Sequence, residues 1–201
     1  MIEIRKLCKS YDEKIVYQSL DLVIKEDTIS CIVGLSGCGK TTLLRILAGL
    51  ECYDEGEILG IKDKRKAFVF QEDRLMPWLN VKENIEYVLA SYCSKDEMKE
   101  KVSSILDMLQ LTEQEKTSVQ KLSGGMKRRV AIGRALAFDS DILLLDEPFK
   151  GLDDALKWHV LEGILTYLKE YPRTVICVTH DKEIATRLGN IIDIEKINKS
   201  Y

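Results

Sequence analysis

Residues 34–42 combine the glycines, the lysine and the hydroxyls that a phosphate-binding loop needs. They read GLSGCGKTT, which fits the pattern GxxxxGK[ST]. Glycines let backbone amides converge on phosphate oxygens, Lys40 can neutralise the outer phosphates, and the hydroxyl of Thr41 can bind Mg²⁺. The apolar run TISCIV at 28–33 predicts a buried strand that enters this loop, and a helix is predicted over Lys40–Leu50. The expected phosphate contacts also include Gly34, Ser36, Gly37, Cys38, Gly39 and Thr42.

A second backbone suited to anions lies at residues 122–125, which read LSGG. Ser123 can cap the helix predicted over Met126–Phe138, and Gly124 and Gly125 leave the first amides of that helix uncovered. One small chain therefore carries two candidate phosphate sites.

Acidic and imidazole side chains follow two other apolar runs. Asp146 and Glu147 end the run DILLLD, and His180 comes directly after TVICVT. Taken alone, an acidic pair is typical of a solvated strand end and a single histidine of the surface, as we expect for His159. With a phosphate loop upstream, we expect Asp146 to hold Mg²⁺ and Glu147 to orient the water that attacks the γ-phosphate. His180 is then expected to bind the γ-phosphate or to position that water.

The overall charge does not favour a nucleic-acid partner. Thirty basic and thirty-three acidic residues give a net charge of −3 and a pI near 5.6, so the KRR at 127–129 is expected to be a solvated helix face. No apolar run approaches the roughly 18 residues of a membrane span, and the charged start MIEIRKLCKS is unlike a signal peptide. We therefore expect a soluble protein inside the cell.

Six dispersed cysteines without a CxxC pair predict free thiols.

Two kinds of periodicity divide the chain. Alternating apolar residues within 2–24 predict strands with one exposed face, and the runs at 141–146 and 174–179 predict buried parallel strands. A helix is predicted over Asp154–Glu170 and a last strand over Ile191–Ile197. Between about Val81 and Lys121, apolar residues recur every three or four positions, which indicates a helical lobe inserted between the strands.

In chain order, these motifs resemble those of the nucleotide-binding subunits of ATP-binding cassette (ABC) transporters, over essentially the whole length. The set comprises GLSGCGKTT, Gln71 after a strand, LSGGM, ILLLDEP, GLD at 151–153 and His180. The resemblance implies an α/β fold, with a P-loop NTPase (RecA-like) core of mostly parallel sheet, an N-terminal antiparallel β subdomain and an inserted α-helical subdomain. Residues 1–70 and 139–201 would form the ATP-binding core with the β subdomain. Residues from about 72 to 138 would form the helical subdomain, which carries LSGGM.

The same resemblance implies cofactors and partners. ATP and Mg²⁺ are the expected cofactors, with Tyr11 stacking on adenine and Gln71 reaching the metal. Ser123, Gly124 and Gly125 of a second copy would close on the ATP held by the Lys40 loop, which makes a head-to-tail homodimer with ATP at its interface. The implied partners are an integral membrane permease and, indirectly, an extracytoplasmic solute-binding protein. The chain would then lie on the inner face of the cell membrane, held there by the permease.

The loop QEDRLMPWLNVKENI resembles that of the nitrate, sulfonate, taurine and thiamine-precursor importers, which favours import of such a solute. Its Leu75, Met76 and Trp78 are expected either to contact the permease or to pack on the helical lobe. Met126 stands where the family often has glutamine, and Lys150 is a departure from the family pattern whose role stays open.

The alternatives to an importer subunit are an ABC ATPase that powers DNA repair, translation or export, and a nucleotide-gated subunit without hydrolysis. The presence of the complete catalytic set argues against the last of these.

Overall fold

The computed structural model describes residues 1–198, and its elements follow the apolar patterns of the sequence. In chain order they are β1 (Ile2–Tyr11), β2 (Lys14–Ile24), β3 (Ile29–Val33), α1 (Lys40–Ala48), β4 (Glu55–Leu59), β5 (Lys66–Val69), α2 (Val81–Leu89), α3 (Lys95–Met108), α4 (Gly124–Ala137), β6 (Ile142–Asp146), α5 (Asp154–Glu170), β7 (Thr174–Val178), α6 (Lys182–Leu188), β8 (Asn190–Asp193) and α7 (Ile194–Ile197). Over the described residues, no helix is both long and apolar enough to cross a membrane.

The contacts within the chain define two compact units. The first contains residues 1–68, 140–147 and 172 onward, and the second contains Val69–Asp139 and Pro148–Tyr171. The second unit thus includes α5, which the sequence-based division assigns to the ATP-binding core. Contacts of α5 explain this grouping, because the Tyr167 hydroxyl donates to the Leu136 carbonyl of α4 at 3.1 Å. The domain boundaries stay a prediction, and residues 199–201 of the expected core segment lie outside the described residues.

Two sheets build the first unit. One has five strands in the order β5-β6-β7-β3-β8, and its pairs β6/β7, β7/β3 and β3/β8 are parallel. The other has three antiparallel strands in the order β2-β1-β4. In the parallel sheet Asp146 pairs with Val178 and Val33 with Asp193. The carboxyl ends of β3, β6 and β7 therefore meet at one edge, which is where α/β proteins bind ligands.

The core of this unit joins both sheets to α1. β1 and β2 bury side chains mainly on one face, as expected of strands whose other face is exposed to solvent. β6 and β7 are buried along their whole length. Each large apolar side chain buried in this way stabilises the fold by roughly 1.5–3 kcal/mol. The central members of the cluster are Ile4, Leu7, Leu20, Ile32, Leu43, Leu47, Leu144 and Ile176.

Helices build the second unit, and their starts are strongly capped. Asn80 forms a capping box with Glu83 at the start of α2, and Ser94 forms one with Glu97 at the start of α3. Gly133 lets α4 approach its neighbours closely, because a Cβ at this position would lie 2.8 Å from a side-chain carbon of Leu109.

The predicted last strand over Ile191–Ile197 is wrong in its second half. The strand ends at Asp193, whose carboxylate accepts the amide of Glu195 at 3.2 Å and caps the short helix α7. An aspartate directly before a helical turn is an N-cap, and its preference overrides the apolar pattern that suggested a continuous strand.

Candidate functional site

The loop between β3 and α1 closes around the ammonium group of Lys40. The Lys40 Nζ donates to the carbonyls of Gly34 and Leu35, both at 2.8 Å, and its side chain is buried. Lys40 is also the first residue of α1, so its charge lies at a helix N-terminus, where uncovered amides and the helix dipole attract anions. The loop is thus already folded for a phosphate group.

Tyr17 supports this loop from the antiparallel sheet. Its hydroxyl donates to the Gly39 carbonyl at 2.7 Å. Gly39 has φ +103°, and a Cβ there would lie 2.7 Å from the Tyr17 hydroxyl, so both the conformation and the space require glycine. Burial raises the pKa of the Tyr17 phenol well above its ordinary value, so it remains a donor at neutral pH. The sequence analysis did not select Tyr17. Its one indication in the sequence is a hydroxyl group on the otherwise apolar face of β2.

Thr41 and Asp146 form the pair of oxygen groups expected for a metal site. The Thr41 hydroxyl donates to a carboxylate oxygen of Asp146 at 3.2 Å, and Asp146 is buried at the end of β6. Hydroxyl and carboxylate oxygens are ligands that Mg²⁺ prefers. Among residues 1–198, no group of three or more His, Cys, Asp or Glu side chains could hold a metal. Thr41 and Asp146 are therefore the two oxygen groups that this edge of the sheet itself offers to a cation.

Glu147 and His180 face each other at the ends of β6 and β7. The Nδ1 of His180 lies 2.9 Å from Oε1 of Glu147, and the glutamate side chain is 15% exposed against 71% for the histidine. An ionised carboxylate can only accept, which makes His180 the donor through Nδ1. Glu147 has φ +49°, and its amide donates to the Val178 carbonyl at 2.9 Å. The positive φ and the hydrogen bond to Val178 together fix the direction in which the glutamate side chain leaves the backbone.

A cavity of about 280 Å³ lies beside the phosphate loop. Tyr11, at the end of β1, is one of its walls and is 39% exposed. Lys14 and Val16 also line it and were missed by sequence reasoning, although the tight turn that pairs Tyr11 with Lys14 was a usable signal. The remaining lining residues are Gly37, Gly39, Lys40, Thr41 and Thr42.

The other two candidate residues of the loop lie outside the cavity lining. Ser36 is exposed, and Cys38 is partly buried with its Sγ 3.8 Å from the Lys40 Nζ. Within the described part of the first unit, the candidate residues of the phosphate loop, of the end of β6 and of the end of β7 lie at one edge of the parallel sheet. Tyr11 is the exception, since it lines the cavity from β1.

In the second unit, Ser123 caps α4. Its hydroxyl accepts the amide of Met126 at 3.3 Å, and the helix begins at Gly124, two residues earlier than predicted. Ser123 and Gly124 are exposed and Gly125 is partly so. The amides of the first turn of a helix have no intrahelical acceptor, so this end of α4 can accept an anion.

The prediction of a solvated KRR face is wrong for two of its three residues. Arg128 is only 3% exposed, and its guanidinium donates to the carbonyls of Pro148 at 3.0 Å and of Phe70 and Gln71. Arg129 is also buried, and it donates to the carbonyls of Leu109 and Gln110 at 2.6 and 2.8 Å. Backbone carbonyls are the main acceptors of both guanidiniums, and Asp73 adds a carboxylate oxygen 3.4 Å from Arg128. This arrangement has no signature in the sequence.

Gln71 belongs to this second unit, where its side chain is exposed and its carbonyl is held by Arg128 at 3.4 Å. Further along the same loop, Leu75 and Met76 are partly buried and Trp78 is 78% exposed. The buried Asn84 fixes this part of the loop, because it accepts the Met76 amide at 2.9 Å and donates to the Met76 carbonyl at 3.3 Å. Lys150 is exposed in the turn that precedes α5.

Comparison with known proteins points to one family. The family described as ABC transporter matches residues 17–150. An aliphatic sulfonates import ATP-binding protein (SsuB) of Bacillus cereus is 41% identical over 186 residues, which are 89% of this chain and 73% of the relative. A spermidine/putrescine import ATP-binding protein (PotA) of Mesoplasma florum is 38% identical over 200 residues, which are 94% of this chain and 57% of the relative.

Among solved structures, a similar chain is the dimeric cassette MJ0796, described as a bacterial ABC transporter cassette. The TM-score is 0.85 at 32% identity, and the match covers 96% of this chain and 94% of the other. The same cassette is also known as a dimer in a post-hydrolysis state bound to ADP and Pi, with the same TM-score and coverage. These similarities confirm the resemblance and the fold class expected from the sequence.

Proposed function

The chain belongs to the ABC transporter family, and from that membership we propose which of its residues bind, position and hydrolyse ATP. It is an ATP-binding and ATP-hydrolysing subunit of an import system, and its relatives are named import ATP-binding proteins. Among the possibilities raised by the sequence, import by an ABC ATPase is supported over a non-transport or export role.

The Lys40 loop binds the phosphates in this proposal. The Lys40 ammonium and the amides of residues 34–42 surround the β- and γ-phosphates, and Tyr11 stacks on adenine at the far wall of the cavity. The volume of about 280 Å³ and the folded state of the loop support this assignment. Lys14 lies where it can neutralise further negative charge of the nucleotide.

Mg²⁺ fits the same edge of the sheet. Thr41 and Asp146 would hold it directly, since their oxygens already converge to 3.2 Å, and Gln71 is its third proposed protein ligand. When bound, the ion would supply positive charge that neutralises the charge developing on the phosphates during hydrolysis. Asp146, buried and hydrogen-bonded to Thr41, keeps the threonine hydroxyl oriented towards the phosphate loop.

Glu147 is the proposed general base. Its carboxylate accepts a proton from the attacking water, and His180 donates to that carboxylate through Nδ1 and holds its orientation. The second imidazole nitrogen, which carries a lone pair in this tautomer, can accept from the water. His180 is the more exposed of the two side chains, so water can reach its imidazole.

Partners complete the proposal. A second copy of the chain supplies Ser123, Gly124 and Gly125, whose exposed helix start suits a γ-phosphate. We further propose that an integral membrane permease binds the pair and holds it at the inner face of the membrane. An extracytoplasmic solute-binding protein would deliver the solute, which we place in the sulfonate class because relatives with 38–41% identity carry that name.

The observation that carries the catalytic proposal is the 2.9 Å contact between Glu147 and His180 beside the phosphate loop. We expect Glu147→Gln to retain ATP binding and to lower the hydrolysis rate by roughly 10²-fold or more, because the amide cannot accept the proton of water. Size-exclusion chromatography of this variant with MgATP should show a dimer, since ATP stays at the interface.

The matched control is Glu170→Gln at the exposed end of α5, which should hydrolyse ATP at the wild-type rate. Wild-type turnover by Glu147→Gln would contradict the assigned base, and a monomer at high protein concentration would contradict the ATP-dependent pair.

A further inference from the structure

Tyr11, which lines the cavity beside the phosphate loop, has a cation over its ring. The Nζ of Lys9 lies 4.4 Å from the centroid of the Tyr11 ring. Both residues are on β1, on either side of Ser10, where the pairing of β1 with β2 shifts in register. An ammonium over an aromatic face at this distance makes a cation–π contact.

Lys9 is held in place by Glu51. Its ammonium donates to a carboxylate oxygen of Glu51 at 2.9 Å, and Lys9 is only 7% exposed although lysines are seldom buried. The hydrogen bond from Lys9 is the main cause that lowers the pKa of the Glu51 carboxyl. Glu51 therefore holds the ammonium that lies over the Tyr11 ring.

Tyr11 lines the cavity, whereas Lys9 does not. Lys9 therefore contacts the Tyr11 ring without being part of the cavity lining. An unconstrained lysine would extend into solvent, whereas the contact with Glu51 keeps the Lys9 ammonium over the ring.

We propose that Lys9 is a positioning residue for the nucleobase: it fixes the Tyr11 ring and draws electron density from it, so that an electron-rich purine stacks on the cavity side. The inference rests on the proposed role of Tyr11 in binding adenine. A ring that is already held loses little freedom when the base binds, so more of the stacking free energy appears as affinity.

The test compares a ligand that has a base with one that lacks it. The full-length chain is titrated by calorimetry with Mg²⁺ and the non-hydrolysable analogue adenylyl imidodiphosphate, and separately with Mg²⁺ and tripolyphosphate. We expect Lys9→Met to weaken the nucleotide by about three- to tenfold, as for a partly exposed cation–π contact, and to leave tripolyphosphate unchanged. Lys9→Arg should restore affinity because a guanidinium also stacks on aromatic rings.

Two controls separate this effect from others. Lys25→Met removes one positive charge from an exposed position after β2, and it should change neither affinity. Glu51→Gln keeps the lysine but weakens the contact that holds it. This variant should lower the affinity for the nucleotide by less than Lys9→Met does, and it should leave the affinity for tripolyphosphate unchanged. Thermal unfolding of each variant checks that it is folded.

The outcomes are distinct. An equal loss for both ligands, or no loss for either, in folded Lys9→Met would overturn the inference. If Tyr11→Leu weakens the nucleotide and Lys9→Met does not, the inference about Lys9 fails while the proposed role of Tyr11 stands. If Tyr11→Leu itself binds the nucleotide as the wild type does, the proposed role of Tyr11 fails, and with it the inference.

Discussion

At the scale of single residues, Cys38 is the side chain whose chemical modification reports most directly on the phosphate loop. Its Sγ is partly buried, 3.8 Å from the Lys40 ammonium, and a Cβ on Gly34 would lie 2.8 Å from it. Any group attached to this sulfur must therefore displace the loop or fill the space of the phosphates.

We expect alkylation of Cys38 to abolish nucleotide binding, and MgATP to protect the thiol from the reagent. The measurement is the rate of labelling of each cysteine by mass spectrometry, with and without MgATP. Cys52 is exposed and outside the loop, so it serves as the internal control that labels at the same rate in both conditions. Equal labelling of Cys38 in both conditions would contradict its placement at the phosphates.

At the scale of elements, Arg128 ties α4 to two loops of the second unit. Its guanidinium donates to the carbonyl that follows Glu147 in the chain, at Pro148, and to those of Phe70 and Gln71. Asp73 adds a carboxylate oxygen at 3.4 Å. The helix that starts at Ser123 is thereby bonded to the segment that carries Gln71.

We expect Arg128→Met to lower the free energy of unfolding by about 3 kcal/mol, because methionine fills part of the space but leaves buried carbonyls without a donor. Urea denaturation measures this loss as a lower midpoint with an unchanged slope. Lys127→Met, one residue earlier on α4, is the control and should stay within about 0.5 kcal/mol of the wild type. An unchanged midpoint for Arg128→Met would contradict this prediction, because it would mean that water bonds these carbonyls with no loss in the free energy of unfolding.

The elements also mark how far sequence reasoning reaches. The helix over Asp154–Glu170 was predicted to the residue, because its apolar spacing and the Asp153 cap are local signals. The strand, loop and helix patterns also predict the setting of the phosphate loop, of the Asp146 and Glu147 pair and of His180, whose roles stay a proposal. Arg128 and Lys9 were missed, since their partners are a set of carbonyls and an aromatic ring. Such long-range contacts do not impose residue types on the sequence.

At the scale of the whole molecule, the first compact unit carries the phosphate loop, and the second carries α4 with its exposed start at Ser123 and Gly124. Solved cassettes of this fold form dimers. If two copies pair head to tail, each ATP contacts Lys40 of one copy and Ser123 of the other. Two half-sites on one chain then make two complete sites in the pair, and no single chain can complete one by itself.

This arrangement predicts complementation between two inactive variants. Lys40→Ala removes the charge that binds the phosphates, and Ser123→Glu places a negative charge at the helix start that should bind them. Each variant alone should lack activity, because both of its composite sites are damaged. In a mixed pair, Lys40 of the Ser123→Glu copy faces Ser123 of the Lys40→Ala copy, so one site is intact.

An equal mixture should therefore recover up to about a quarter of the wild-type ATPase rate, since random pairing makes half of the dimers mixed and each has one working site of two. The control is a mixture of Lys40→Ala with a Lys40→Ala, Ser123→Glu double variant, which contains no intact site in any pairing and should stay inactive. Recovery in the first mixture alone would establish that the site is shared between copies. If instead both mixtures are inactive while gel filtration shows mixed pairs, the sites are not shared in the proposed manner, or a single intact site does not turn over.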